Sequence, residues 1–119
     1  MKGNTMPTGR NLFTNKTITA SAASQSVTVP VGDVDFISVG VQVSAVSGAG
    51  AQAVFQVQWS FDGDVWTDAG DEPDDIIATL TAPGNRVKRI PVKATYWRLG
   101  AQITGTTPSF TVTANTLVW

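Results

Sequence analysis

Alternating apolar and polar residues run through most of the chain, and no stretch shows the 3.6-residue period of a helix. The clearest case is residues 35–46, where Ile37, Val39 and Val41 fall on one face and Ser38 and Gln42 fall on the other. A period of two residues is typical of a β-strand with one buried face and one solvated face. The same alternation recurs over residues 53–61, 97–103 and 110–118.

Turn signals separate these segments about every ten residues, a spacing typical of sandwiches and barrels. Residues 47–50 (Ser-Gly-Ala-Gly) divide two long alternating runs. They predict an antiparallel hairpin in which residues 35–46 pair with residues 53–61. Further turns are predicted at residues 62–64, 83–84 and 105–109. The pattern as a whole predicts an all-β fold, an antiparallel β-sandwich of jelly-roll type with about eight strands.

The first 14 residues differ from the rest of the chain because they mix Gly, Pro, Asn, Thr and basic residues without alternation. Such a segment is either frayed or ordered only against a partner. We therefore expect an extended N-terminal arm over residues 1–14, followed by one β-sandwich domain over residues 15–119. A chain of 119 residues is long enough for one domain and too short for two.

The composition provides few groups for catalysis, since the chain has no His and no Cys. These residues supply the usual general base, the thiolate nucleophile and the commonest transition-metal ligands. No nucleophile elbow, phosphate-binding loop or zinc signature occurs either. We expect no enzymatic activity and no cofactor. The enzyme alternative is hydrolysis by paired carboxylates among the acids of residues 62–75, but solvated acidic loops are far commoner than such pairs.

The charge balance and the apolar pattern limit the classes of partner. The eight basic and nine acidic residues nearly cancel, which argues against a nucleic-acid binder and against a binder of anionic membranes. No apolar run reaches the roughly 20 residues of a membrane span. The N-terminus lacks the apolar core of a signal peptide. We therefore expect a protein that is made and folded in a cytoplasm.

The charges are segregated along the chain: seven of the nine acids lie in residues 62–75 and five of the eight bases in residues 86–98. This segregation has three interpretations, which are two solvated loops, pairing of an acidic edge with the basic edge of another copy, or a Ca²⁺ ion held by the acidic loop. The acid spacing does not fit an EF-hand, and we assign no metal site. A terminal Trp can cover an edge of its own domain or a neighbouring subunit. The candidate partner-binding residues are Arg10, Lys16, Arg86, Lys88, Arg89, Lys93, Asp71, Glu72, Asp74, Asp75 and Trp119.

Two segments resemble a known fold family. Residues 58–66 (Gln-Trp-Ser-Phe-Asp-Gly-Asp-Val-Trp) resemble the S-x-D-G-x-x-W hairpin of discoidin-like, galactose-binding β-sandwiches. Residues 94–99 (Ala-Thr-Tyr-Trp-Arg-Leu) resemble the A-R-Y-x-R strand of the same family, and residues 110–118 fit its last strand. The chain lacks the disulfide that often joins the ends of secreted members. The sugar-contacting loops cannot be aligned, so the resemblance assigns no ligand-binding residues.

The same arrangement resembles small β-sandwich proteins encoded in the structural operons of tailed bacteriophages, among them head decoration proteins that clamp neighbouring capsomers. That resemblance implies a non-enzymatic capsid decoration (cement) subunit of the virion, made in the bacterial host cytoplasm. Its partners would be the major capsid protein and copies of itself, as a dimer or trimer, with no nucleic acid and no membrane. The alternative is a carbohydrate-binding module of a phage tail or host-recognition component, with Tyr96 or Trp66 as an aromatic platform.

Overall fold

The computed structural model describes residues 8–29, 35–67 and 73–118. Every strand pair in it is antiparallel, and the all-β class predicted from the alternation is confirmed. In chain order the elements are β1 Thr8–Ile18, β2 Ala22–Ala23, β3 Val27–Thr28, β4 Phe36–Ser60, a 3-10 turn Pro73–Asp75, β5 Ile76–Leu80, β6 Gly84–Pro91 and β7 Tyr96–Val118. None of the helical segments in these residues is long and apolar enough to cross a membrane.

The two longest strands, β4 and β7, form the central pair of the sheet. They pair along almost their whole length, from Ser38 opposite Leu117 to Ser60 opposite Tyr96. β6 lies beside the first half of β4, and β5 lies beside the second half. β1 lies beside the second half of β7, and β2 and β3 lie beside the first half. The first layer of the sandwich thus contains β1 and β6, and the second layer contains β2, β3 and β5.

The ribbon of β4 and β7 turns a corner between the two layers. Gly48 and Gly50 on β4 have φ of 109° and 64°, and Gly105 and Thr107 on β7 have φ of 122° and 49°. Three shifts of register between β4 and β7 fall within residues 43–52. Bulges and left-handed residues bend a strand sharply, and sandwich corners form where strands pass from one sheet to the other. Both strands bend at the same place, which folds the second layer over the first.

The folded ribbon accounts for the burial of the core. Ile37 and Val39 on the first half of β4, Phe55 on the second half, and Trp97 and Phe110 on β7 are fully buried in one hydrophobic cluster. A flat sheet with no covering element would leave this apolar face in water. Among the described residues no helix covers it, so the two halves of the sheet cover each other.

The predicted hairpin between residues 35–46 and residues 53–61 is wrong. The two runs are consecutive parts of β4, and each pairs with β7 instead of with the other. Residues 47–50 bend the strand without reversing it, because β7 bends beside them at Gly105 and Thr107. For the same reason the turn predicted at residues 105–109 lies inside β7, and the described residues form seven strands.

The boundary of the N-terminal arm also differs from the prediction. Residues 8–14 belong to β1, whose backbone pairs with β7 from Val118 to Ala114. Two shifts of register in β1 and a positive φ of 45° at Asn15 interrupt the alternation that would mark a strand in the sequence. Residues 1–7, the rest of the predicted arm, lie outside the described residues.

Candidate binding surfaces

A short loop after β4 is built by its own hydrogen bonds. The Ser60 hydroxyl accepts from the backbone N–H groups of Asp62 (3.3 Å) and Gly63 (2.8 Å), and it donates to Asp62 Oδ1 (2.9 Å). Asp62 Oδ1 also accepts from the backbone N–H groups of Asp64 (2.9 Å) and Val65 (3.0 Å). Side-chain oxygens that accept from the following backbone are the general means by which Ser and Asp form turns. The serine, aspartate and glycine of the discoidin-like motif therefore fix the shape of this loop.

The far end of the loop is attached to the edge of β4. Thr67 N–H donates to the Trp59 carbonyl (2.9 Å), and Trp59 N–H donates to Thr67 Oγ1 (3.0 Å). Gln58 Nε2 donates to the Thr67 carbonyl (3.1 Å). These bonds hold residues 65–67 beside β4 without a further strand. We call residues 60–67 the tip loop.

Neither aromatic residue considered as a sugar platform is open on both faces. Arg98 lies over the Trp66 ring, with its guanidinium carbon 4.6 Å from the ring centroid, and its Nε donates to Gln58 Oε1 (2.9 Å). The Tyr96 ring lies against Gly63, where an added Cβ would be 3.7 Å from ring carbons. Gly63 has a φ of 79°, which favours glycine at this contact.

Two apolar side chains project from the tip loop into solvent. Phe61 is 82% exposed and Val65 is 71% exposed. With Trp66 they border a cleft of about 440 Å³ whose wall includes Trp59 and Ala94. The sequence pattern placed Phe61 on the buried face of its strand, but the strand ends at Ser60 and the turn directs the chain away from the core.

A buried carboxylate lies at the edge of this cleft. Asp75 is buried, and its Oδ1 accepts from Trp59 Nε1 (3.1 Å) and lies 3.0 Å from Lys93 Nζ. Lys93 Nζ is also 3.4 Å from Asp74 Oδ2. Burial lowers the pKa of Lys93, but the two carboxylates outweigh it and raise that pKa above its usual value. The hydrogen bond from Lys93 is the main cause that lowers the pKa of Asp74. Three of the predicted partner-binding residues therefore form ion pairs within one copy.

The basic residues of β6 are arranged differently. Arg89 lies over the Phe36 ring, 4.1 Å from its centroid, and Lys88 Nζ donates to the Ile76 carbonyl (2.8 Å). Arg86 is exposed and donates to the Asn85 carbonyl (2.8 Å). Among the described residues, no carboxylate lies within ion-pair distance of Arg86, Lys88 or Arg89.

Apolar side chains are exposed beside these bases. Val87 is 79% exposed and Phe36 is 42% exposed. Val87 lies opposite Gly40 on β4, and a groove of about 260 Å³ runs beside them. Arg86 lies opposite the core residue Val41, so it is on the other side of β6 from Val87 and Arg89. We call Phe36, Val87 and Arg89 the basic face. Apolar and polar residues do not alternate in β6, so the sequence did not predict that Val87 is exposed.

The other predicted binding residues lie apart from these surfaces or outside the description. Lys16 borders a separate groove of about 400 Å³ between β1 and the β2–β3 edge, with its Nζ 5.7 Å from the Phe13 ring centroid. The backbone of Arg10 pairs with Thr116, and its side chain is not described. Asp71, Glu72 and Trp119 lie outside the described residues.

The calcium alternative concerned the acidic loop of residues 68–75, of which residues 68–72 lie outside the described part. Within the described ranges, no three or more His, Cys, Asp or Glu side chains gather where they could hold a metal ion.

The pKa of the Asp62 carboxyl should lie well below the usual value for an aspartate. Hydrogen bonds from the backbone of Val65 and Asp64 and from the Ser60 hydroxyl lower its pKa from 3.8 to about 2. A lowered pKa means that its contribution to stability is present above about pH 4 and is lost as the pH falls through about 2. We expect a carbon-13 NMR titration midpoint near pH 2 for Asp62 and a higher midpoint in Ser60→Ala. A wild-type midpoint near 3.8 would contradict the loop geometry.

Comparison with models of known protein families, with curated proteins and with solved structures finds no match to this chain.

Proposed function

We propose that the chain is a non-enzymatic virion structural protein, a decoration or cement subunit on the outer surface of a phage head. The observation that most supports this proposal is the exposure of large apolar side chains on a well-packed sandwich: Phe61 and Val65 on the tip loop, and Val87 and Phe36 on the basic face. Single exposed apolar residues are ordinary, but groups of them beside charged residues mark protein contact surfaces.

The two surfaces lie on opposite sides of the sandwich. Arg89 and Val87 lie opposite Ser38 and Gly40, positions that alternate with the core residues of β4, so they belong to the outer side of the first layer. The tip loop is held by Arg98, which alternates with core residues of β7 and so lies on the outer side of the second layer. Contact surfaces on two sides suit a subunit that joins neighbours on a repeating lattice, where many weak contacts add.

Sedimentation with phage heads tests the proposal. The purified protein should bind heads of the phage encoded in its genomic neighbourhood, saturably and at a fixed ratio to the major capsid protein. Phe61→Ser should weaken this binding by about tenfold, because it removes an apolar contact without touching the core. Thr106→Ser, an exposed change at the corner, is the control and should bind as the wild type does. Failure of the wild type to bind intact heads would contradict the proposal.

To test whether the N-terminus contributes to the binding of heads, fewer residues must be removed than the predicted arm of residues 1–14. Removing residues 1–14 would also delete more than half of β1, so a loss of binding could reflect damage to the sheet. Removing residues 1–7 leaves β1 intact, and on the decoration proposal we expect weaker binding to heads from this variant.

The second candidate is carbohydrate binding, and the observation that favours it is the tip cleft. Its volume of about 440 Å³ and its two Trp walls, Trp59 and Trp66, are suited to a sugar ring. The charged groups at its edge, Asp75 and Lys93, are already paired with each other. Saturable quenching of tryptophan fluorescence by a sugar at or below about 1 mM, abolished in Trp66→Ala, would favour this candidate. No quenching by any sugar tested would count against it.

A further inference from the structure

Two exposed surfaces of this chain are complementary in both charge and apolar character. The tip loop presents Phe61 and Val65 beside the exposed carboxylates Asp62 and Asp64. The basic face presents Val87 and Phe36 beside Arg89. We infer that the tip loop of one copy binds the basic face of a second copy. This contact does not require a phage head, and it extends the proposed function by naming the surfaces through which copies join.

The charges on both surfaces persist under ordinary conditions. Asp62 keeps its charge down to about pH 2, because its hydrogen bonds with Ser60 and the following backbone stabilise the carboxylate. Arginine stays protonated at any pH at which proteins fold. Lys93 is held by Asp74 and Asp75 within its own copy. The tip loop and the basic face carry opposite charges that are available for a contact between copies.

The basic face also has a recess for an apolar side chain. Gly40 lies opposite Val87 and has no side chain, and an added Cβ there would lie 3.7 Å from Val87 Cγ2. The groove of about 260 Å³ beside this pair is bordered by Gln42, Asn85 and Thr113, and Arg89 lies two residues along β6 from Val87 on the same side. An apolar anchor in a recess with charges at its rim is the usual form of a protein contact. Phe61, the most exposed apolar side chain of the tip loop, is the anchor that this groove would receive.

One copy cannot make this contact with itself. The basic face is on the outer side of the first layer, and the tip loop is held on the outer side of the second layer by Arg98. The two layers of a sandwich are separated by about 10 Å of packed side chains. A contact between unlike surfaces is heterologous, and its repetition builds a ring or an open array.

Sedimentation velocity of the protein alone, without heads, tests the inference. The wild-type sedimentation coefficient should rise with concentration up to about 1 mM and fall when NaCl is raised from about 50 to about 500 mM. Asp64→Arg and Arg89→Asp should each weaken self-association by about tenfold, since each places like charges in contact. Thr104→Asp introduces an acid at an exposed position of β7 away from both surfaces, and it should behave as the wild type does.

An equal mixture of the two variants distinguishes the proposed contact from a loss of folding. Asp64→Arg retains an intact basic face, and Arg89→Asp retains an intact tip loop, so the mixture should associate more strongly than either variant alone. The inference is overturned by a wild type that stays monomeric at low salt, by variants that associate like the wild type, or by a mixture that associates no better than its components. Wild-type binding to heads without self-association would overturn this inference and leave the decoration proposal standing, whereas self-association without binding to heads would do the reverse.

Discussion

Gly48→Ala should lower the free energy of unfolding by about 3 kcal/mol or more. Gly48 has a φ of 109°, a conformation that residues with a Cβ rarely adopt. An added Cβ would lie 2.7 Å from the Thr107 carbonyl oxygen and 2.8 Å from Pro108 Cα. Both atoms belong to the backbone of β7, so no flexible side chain can move aside. The substitution must therefore disturb the corner that folds one layer over the other.

Gly50→Ala is the matched control at the same corner. Its φ of 64° is strained for alanine, but no atom lies within 4 Å of the added Cβ. We expect a loss of only about 1 kcal/mol from the left-handed conformation. Urea denaturation followed by tryptophan fluorescence measures both variants. Equal losses at the two positions would mean that β4 and β7 do not approach closely at Gly48.

Asp75→Ala should lower the free energy of unfolding by about 3 kcal/mol. The substitution leaves the indole N–H of Trp59 without its acceptor, and it removes the carboxylate that lies 3.0 Å from Lys93 Nζ. An unpaired buried donor costs the full free energy of its desolvation, because water cannot replace the lost partner. The loss should appear in urea denaturation as a lower midpoint with an unchanged slope.

Two variants separate the contributions at this position. Asp75→Asn keeps an oxygen that can accept from Trp59, so it should recover part of the stability lost in Asp75→Ala. Asp74→Ala removes the exposed partner of Lys93 and should leave the midpoint close to that of the wild type. A loss in Asp74→Ala as large as that in Asp75→Ala would show that the buried bond to Trp59 contributes little.

The core of the fold could be predicted from the sequence because apolar and polar residues alternate along a strand that has one buried face. Ile37, Val39 and Val41 were placed on a buried face, and all three are buried. The period of two also excluded helices, since an apolar stripe on a helix repeats every 3.6 residues. The fold class follows from this local information alone.

The connection between the strands could not be predicted from local signals. A Ser-Gly-Ala-Gly segment permits either a reversal of the chain or a corner within one strand. The corner forms here because Gly105 and Thr107, more than fifty residues later, allow β7 to bend with β4. Pairing between segments so distant in sequence depends on the whole sheet, which the pattern of one strand does not describe.

The candidate surfaces were predicted in part. The segregation of acids from bases suggested contacts between copies, but Lys93 pairs with Asp74 and Asp75 inside one copy because the fold brings residues 75 and 93 together. The alternation of apolar and polar residues continues one residue beyond the end of β4, so it predicted that Phe61 would be buried, whereas Phe61 is exposed. The charge or apolar character of each surface residue is known from the sequence. Whether its side chain is exposed depends on where the strands end, which the sequence pattern did not predict.

Electron cryomicroscopy of phage heads incubated with an excess of the purified protein tests the proposed function most directly. The decoration proposal predicts added density of the size of one β-sandwich at symmetry-related positions on the outer surface of every head, with the tip loop or the basic face at a contact. Heads whose outer surface is unchanged after incubation would contradict it.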